Sequence, residues 1–245
     1  MSGHSKWHNI RLRKGKQDAV RSKSFTKLAK EIIIAAKNGG GNPDVNLQLR
    51  QAIDYARKAS MPADNIKRNI QRGTGEIEGA SYEELTYEGY GPGGVAVLVQ
   101  CLTDNKQRTV ADVRSIFTKA GGRLAESGSV GYLFESKGIF EFEPSRVTEE
   151  QLMEVALDAG ADDVTTTEDG GFDVSTTFED FFAVKDALDK AKLIYASAET
   201  AMIPMTTVSL AGKDAEAVFK MLDRLEEHDD VQNVYSNIDA PDEDE

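Results

Sequence analysis

The sequence predicts an α+β multidomain protein: an N-terminal three-helix domain followed by two ferredoxin-like α+β domains, the third inserted in the second. Three observations carry this. Apolar residues recur at helical spacing over residues 1–75 and then give way to alternating strands and helices. The glycine-rich, non-periodic stretch "GTGEIEGA" at 73–80 separates the two patterns. Beyond it a β-α-β-β-α-β set is complete between residues 138 and 203, with incomplete pieces on either side.

Each element follows from its residues. Phe25, Leu28, Ala29, Ile32 and Ala36 make the stripe of an amphipathic helix, ended by Gly39 to Gly41. Asn42-Pro43, a cap followed by a first-turn proline, predicts the start of a second helix carrying Leu49, Ala52, Ile53 and Ala56. A third runs from Pro62 to Gly73 with Ile66 and Ile70 inward. After a sharp turn at "GYGPGG", "GVAVLVQCLT" reads as a buried strand, "KQRTVADVRSIFTKAGG" as a helix and "SVGYLFES" as another strand. The split set then comprises "GIFEFE", "TEEQLMEVALDAG", "DDVTTT", "GFDVSTT", "EDFFAVKDALDKAK" and "SAETAMI". "MTTVSL", "DAEAVFKMLDRLEEH" and "VQNVYSN" remain, and they are expected to complete the interrupted domain. The domains are therefore 1–75, 81–135 with 204–238, and 136–203, followed by an acidic tail at 239–245.

Charge divides the chain at the same boundary. Residues 1–75 hold 16 Lys or Arg and 5 Asp or Glu, net +11, whereas 76–245 hold 13 and 37, net −24. The overall net charge of −13 hides a cationic domain, a pattern that points to a polyanionic partner. With 40% hydrophobic and 29% charged residues and no apolar run near 18, the composition is that of a globular protein without a membrane span. No apolar stretch follows the basic start as a secretory signal requires, so a cytoplasmic location is expected.

Signs of catalysis are scarce. Cys101 sits in an apolar run and reads as a small buried hydrophobe. The three histidines, His4, His8 and His228, form no CxxC-like or HExxH-like cluster, although any chain exposing Ser2-Gly3-His4 at its terminus could chelate copper or nickel. The glycines at 89–94 lack the lysine and hydroxyl of a phosphate loop and lead into a strand. Carboxylate pairs such as Glu83/Glu84, Asp162/Asp163 and Asp229/Asp230 are sequence neighbours whose side chains diverge, so they are expected to face solvent. A non-enzyme without cofactor, metal or small-molecule substrate is expected.

The binding chemistry lies in "GHSKWHNIRLRKGKQDAVRSK", residues 3–23, with seven cations against Asp18. Lys6, Arg11, Arg13, Lys14, Lys16 and Arg21 are phosphate-contact candidates, and Trp7 and His8 offer flat rings that stack on exposed bases. Trp7 serves equally well as a packing residue. At 100° per residue Lys23, Lys27, Lys30 and Lys37 fall within about 80° of one another, on a cationic face opposite the Phe25/Ile32 stripe. Arg50, Arg57, Lys58, Lys67, Arg68 and Arg72 add to the supply, with Arg68 taken as a contact residue.

The segments "GHSKWHNIRLRKGKQDAVRSK", "GGGNPDVNLQLRQAIDYARKASMPADNIKRNIQRG", "YEGYGPGGVAVLVQCLTDNKQRTVADVRSIFTKAGG" and "ESGSVGYLF" closely resemble the YebC/PmpR family over the whole chain. The resemblance implies three domains and nucleic-acid binding. Bacterial members are described as probable transcriptional regulators that bind DNA. Mitochondrial relatives are translational activators of cytochrome c oxidase, and bacterial members are also tied to ribosomes translating proline-rich stretches, so ribosomal RNA is the alternative partner. Asp104, Asn105, Lys106, Arg108 and Thr109 match the family's second-domain motif, either as a polar contact loop or as a helix start capped by Asp104. Ala125 stands where the family pattern suggests glycine.

Overall fold

The structure, a computed structural model, describes residues 25–167 and 169–239. The chain divides into two compact units, one spanning 132–207 and one assembled from the segments on either side of it. It is an α+β fold whose helical region precedes two sheet domains, one nested in the sequence of the other.

In the outer unit, three helices come first: α1 (Phe25–Gly39), α2 (Leu47–Lys58) and α3 (Ala63–Gly73). Leu28, Ile32, Ala36, Leu49, Ala52, Ile53, Ala56 and Ile66 form their shared core. Burying a Leu or Ile side chain contributes about 1.5–3 kcal/mol, so this stripe suffices to hold helices of 11 to 15 residues together. The second helix starts later than Asn42-Pro43 suggests. Asn42 instead closes a turn through Asp44 N–H, and Asn46 is the cap. Its buried amide accepts from Leu49 N–H at 3.0 Å and donates to the Ala35 and Gly40 carbonyls at 2.8 Å each, tying the end of α1 to the start of α2. Phe25, placed on the stripe by spacing, is 48% exposed at the first position of its helix.

The sheet of this unit has the order β3-β1-β2-β9, from β1 (Glu83–Tyr90), β2 (Ala96–Thr103), β3 (Arg123–Leu124) and β9 (Val231–Ser236), all adjacent pairs antiparallel. The β1–β2 hairpin turns at Pro92–Gly94, where Gly93 (φ 68°) and Gly94 (φ 80°) occupy left-handed backbone that a side chain would strain. Helices α4 (Lys106–Lys119) and α7 (Gly212–Glu227) cover one face, enclosing Val97, Val99, Cys101, Val113, Phe117, Val218, Met221 and Leu225. The strand order is that of a ferredoxin-like sheet in which β1, ahead of β2 in sequence, occupies the third strand's place.

Three expectations change here. Residues 83–90 show no strand pattern, because their alternation is weak and broken by Gly89, yet they form β1, one of the two interior strands. "SVGYLFES" is no strand of this sheet: its last residues begin β4 (Phe134–Phe142), which continues through "GIFEFE" and belongs to the nested unit. The "MTTVSL" strand shrinks to β8 (Val208–Ser209), paired in parallel with β10 (Ile238–Asp239).

The loop after β3 is held by an internal charge. The Glu88 carboxylate, 7% exposed, accepts from Gly128, Val130 and Gly131 N–H at 2.7, 2.6 and 2.8 Å. Burial alone would raise this carboxyl; the amides of Gly128, Val130, Gly131 and Ser129 outweigh it and bring it below the ordinary range. Ala125, in the same loop, donates its N–H to the Glu88 carbonyl and has no left-handed backbone.

The nested unit is β4, α5 (Glu149–Leu152), β5 (Ala161–Thr166), β6 (Phe172–Thr177), α6 (Phe181–Lys190) and β7 (Ser197–Pro204). Its sheet order β5-β6-β4-β7, wholly antiparallel, is the ferredoxin-like arrangement. Thr148 and Gln151 form a capping box at α5, which runs into a π-helical turn at Met153–Leu157. Phe140 and Phe181 stack at 4.9 Å in a core shared with Leu152, Val174, Val184 and Leu188.

Candidate nucleic-acid interface

Lys6, Trp7, His8, Arg11, Arg13, Lys14, Lys16, Arg21 and Lys23 lie outside the described residues. The remaining candidates separate into buried and exposed sets.

Lys27 and Lys30 are not on a solvent face. They are 8% and 5% exposed, because the side of α1 opposite the helical core packs on the C-terminal end of α7 and the loop behind it. Lys27 Nζ donates to the Glu226 carbonyl at 2.5 Å, where the last carbonyls of a helix concentrate negative potential. Lys30 Nζ donates to the Asp229 carbonyl at 2.9 Å and to Asp230 Oδ1 at 2.6 Å. Both lysines are therefore occupied within the fold. The missed signal was composition: Ile33, Ile34 and Ala35, outside the predicted stripe, are buried too, and a helix apolar nearly all round is an interior helix.

Asp230, expected in solvent, is the centre of this arrangement. Its other oxygen accepts from Arg108 Nη2 at 2.8 Å, Thr109 Oγ1 at 2.9 Å and Thr103 Oγ1 at 3.3 Å. Burial would raise its carboxyl, but hydrogen bonds from Lys30, Arg108 and Thr109 hold it well below the usual carboxylate range. The same charge, added to burial, helps push the Cys101 thiol up to about 12, which leaves it an inert thiol at neutral pH. Nothing in the sequence flagged Asp230, since the partners it gathers come from two distant segments, Lys30 and residues 103–109.

The second-domain motif is a helix start. Asn105, not Asp104, is the cap of α4: its Oδ1 accepts from Arg108 N–H at 3.1 Å. Thr109 is fully buried, while Lys106 and Arg108 are exposed. Arg108 spans Asp104 at 3.0 Å and Asp230 at 2.8 Å, hydrogen bonds that raise its already high basicity. Because Lys30 and Arg108 grip the two oxygens of one carboxylate, the exposed Lys106/Arg108 turn stands beside the N-terminal half of α1.

Exposed cations gather elsewhere in the helical domain. Ile66 and Asn69 face inward on α3, so Lys67, Arg68 and Arg72 occupy its outer half, the two arginines one turn apart. Among the described residues no carboxylate pairs with any of the three. Arg68 is the contact candidate the sequence offers here; the inward face of Ile66 and Asn69 adds Lys67 and Arg72 to it.

Among the described residues no group of three or more His, Cys, Asp and Glu is placed to hold a metal, and no helix is long and apolar enough to cross a membrane. The fold and its charges define a three-domain α+β protein with a cation-rich helical domain ahead of two nested sheet domains. Residues 5–76 match the TACO1/YebC protein N-terminal domain, and residues 82–238 match the TACO1/YebC second and third domain. The chain belongs to the TACO1/YebC family. A probable transcriptional regulatory protein of Geobacter sulfurreducens is 55% identical over 239 residues, 98% of this chain and 96% of that one. Another so named, from Dictyoglomus turgidum, is 53% identical over 99% of this chain and 98% of its own length. The crystal structure of a conserved hypothetical protein from Aquifex aeolicus is similar at a TM-score of 0.80 and 44% identity, covering 92% of this chain and 95% of that one. Relatives named as regulators make this a regulator family.

Proposed function

We propose that this protein is a non-enzymatic, cytoplasmic regulator of transcription that binds DNA through the cations of residues 1–75, with Lys106 and Arg108 alongside. The observation that carries the reading is the outer face of α3, where Lys67, Arg68 and Arg72 stand exposed without a described acidic partner. Lys27 and Lys30 of the same domain are buried and bonded within the fold, whereas Lys67, Arg68 and Arg72 have no acidic partner among the described residues. The basic residues 3–23 precede the same domain, and the names of the relatives point to transcription. Phosphate contacts of this kind give binding that weakens steeply with salt.

The test is sedimentation of a cell lysate through sucrose, following the protein after DNase or RNase treatment. Release from fast-sedimenting material by DNase alone supports the reading. Release by RNase alone, from ribosomal fractions, overturns it in favour of ribosomal RNA. In purified protein, reversing Lys6, Arg11, Arg13, Lys14 and Lys16 to glutamate is expected to abolish DNA binding; unchanged affinity removes residues 3–23 from the interface.

A further inference from the structure

Helix α5 and the π-helical turn that continues it carry two apolar strips. Leu152 and Ala156, fully buried, face the core of the nested unit with Val155 and Ala159 partly buried against it. Met153 and Leu157, four residues apart, form the other strip and are 46% and 38% exposed. A helix needs only one apolar strip to join its own core, so the second is surplus to folding. A π-turn interrupting a helix recurs at functional sites.

Carboxylates surround this strip. Glu149, Glu150, Met153 and Glu154 line one shallow concavity, and Asp158 follows one residue after Leu157. No described cation pairs with any of the four acids, although other acids of the unit are paired, as Asp162 is with Lys137 and Asp189 with Lys185. The charge extends beyond the rim, since residues 132–207 hold 17 Asp or Glu and 5 Lys or Arg, net −12.

We infer that Met153 and Leu157 with their acidic rim form a docking site for a basic amphipathic helix of another protein. Charge complementarity selects the partner: an occupant must present an apolar pair to Met153 and Leu157 and cations to Glu149, Glu150, Glu154 and Asp158. Polyanions are repelled from this face, so nucleic acid is not the occupant. Met153 and Leu157 stand roughly 6 Å apart along the axis, and the whole face from Glu149 to Asp158 is roughly 15 Å long at 1.5 Å per residue, which matches two to three turns of a partner helix presenting an apolar pair at i and i+4. Apolar contact supplies register and the rim supplies charge selection and a fast encounter.

The probe is a synthetic lysine-rich peptide with leucines at i, i+4 and i+8, compared by fluorescence anisotropy with its scrambled isomer of equal charge, on the full chain at about physiological salt. The patterned peptide is expected to bind at least tenfold more tightly than the scrambled one. Met153→Ser/Leu157→Ser should erase that preference. Both residues are exposed, and circular dichroism of the variant should match the parent. Equal binding of the two peptides would reduce the site to charge alone and overturn the proposal. So would a preference that survives the double substitution, or saturable binding only by a peptide of this chain's own residues 3–23.

Discussion

Helices α1 and α3 belong to one small domain and each carries three cations, yet the two sets do opposite things. On α1, Lys27 and Lys30 are buried and bonded to the end of α7 and to Asp230, which joins the helical domain to the sheet that follows it. On α3, Lys67, Arg68 and Arg72 reach solvent. The difference comes from the opposite side of each helix. Helix α1 is apolar over most of its circumference and so becomes the interior element of its unit, with Lys27 and Lys30 facing helix-end carbonyls and a buried carboxylate, while Lys37 at its exposed end donates to the Tyr82 carbonyl. Helix α3 has a narrow inward face of Ile66 and Asn69, with Ile70 and Gly73 beside it, and its cations project outward. Cation count alone does not identify a nucleic-acid surface.

The comparison breaks most easily at Asp230. Asp230→Ala leaves Lys30 charged and buried, and should cost about 3–5 kcal/mol in urea unfolding of the full chain. A loss under about 1 kcal/mol would mean that the ion pair does not hold α1 in place. The pH dependence has a fixed sign. Asp230 lies below its ordinary carboxylate value in the fold, so its stabilisation is complete above about pH 4 and is lost as pH falls through the folded value. Wild type and Asp230→Asn should therefore converge on acidification, and a gap that widens would contradict the assignment.

A smaller effect is expected where α1 and α3 touch. A Cβ on Gly73 would lie 2.4 Å from the Ile33 carbonyl oxygen and 2.6 Å from Ala36 Cβ, neither a flexible end that can swing aside. Gly73→Ala should force the helices apart and destabilise by about 1–3 kcal/mol, read as a lower urea midpoint. If stability holds, the α1–α3 approach is looser than described.

Much of this architecture was legible in the sequence, and the exceptions have physical causes. The nested β-α-β-β-α-β unit was readable because its strands alternate or run apolar and its helices keep their period, as "GFDVSTT" and "EDFFAVKDALDKAK" show. Strand β1 was not, since it draws stability from pairing with β2 along its full length rather than from its own pattern. The competing cap signal at Asn42-Pro43, four residues early, also hid Asn46, whose three hydrogen bonds depend on where α1 ends. At the candidate site, periodicity placed Lys27 and Lys30 opposite the helical core, but a single helix cannot reveal what covers that opposite side. Asp230 is the extreme case: its importance arises only when residues 30, 103, 108 and 109 meet.

The smallest effect on stability should accompany a large one on binding, and this pairing is what separates α3 from α1. Lys67→Ala/Arg68→Ala/Arg72→Ala removes no buried contact and no described ion pair, so the urea midpoint should move by no more than about 0.5 kcal/mol equivalent. DNA affinity should fall, and the slope of log K against log salt should shrink by up to about 3, close to one phosphate per cation removed. Lys27→Met, by contrast, should lower stability and leave the salt slope unchanged, because that ammonium is committed to the Glu226 carbonyl. A triple variant of α3 with full affinity and an unaltered slope would place the phosphate contacts elsewhere in residues 1–75.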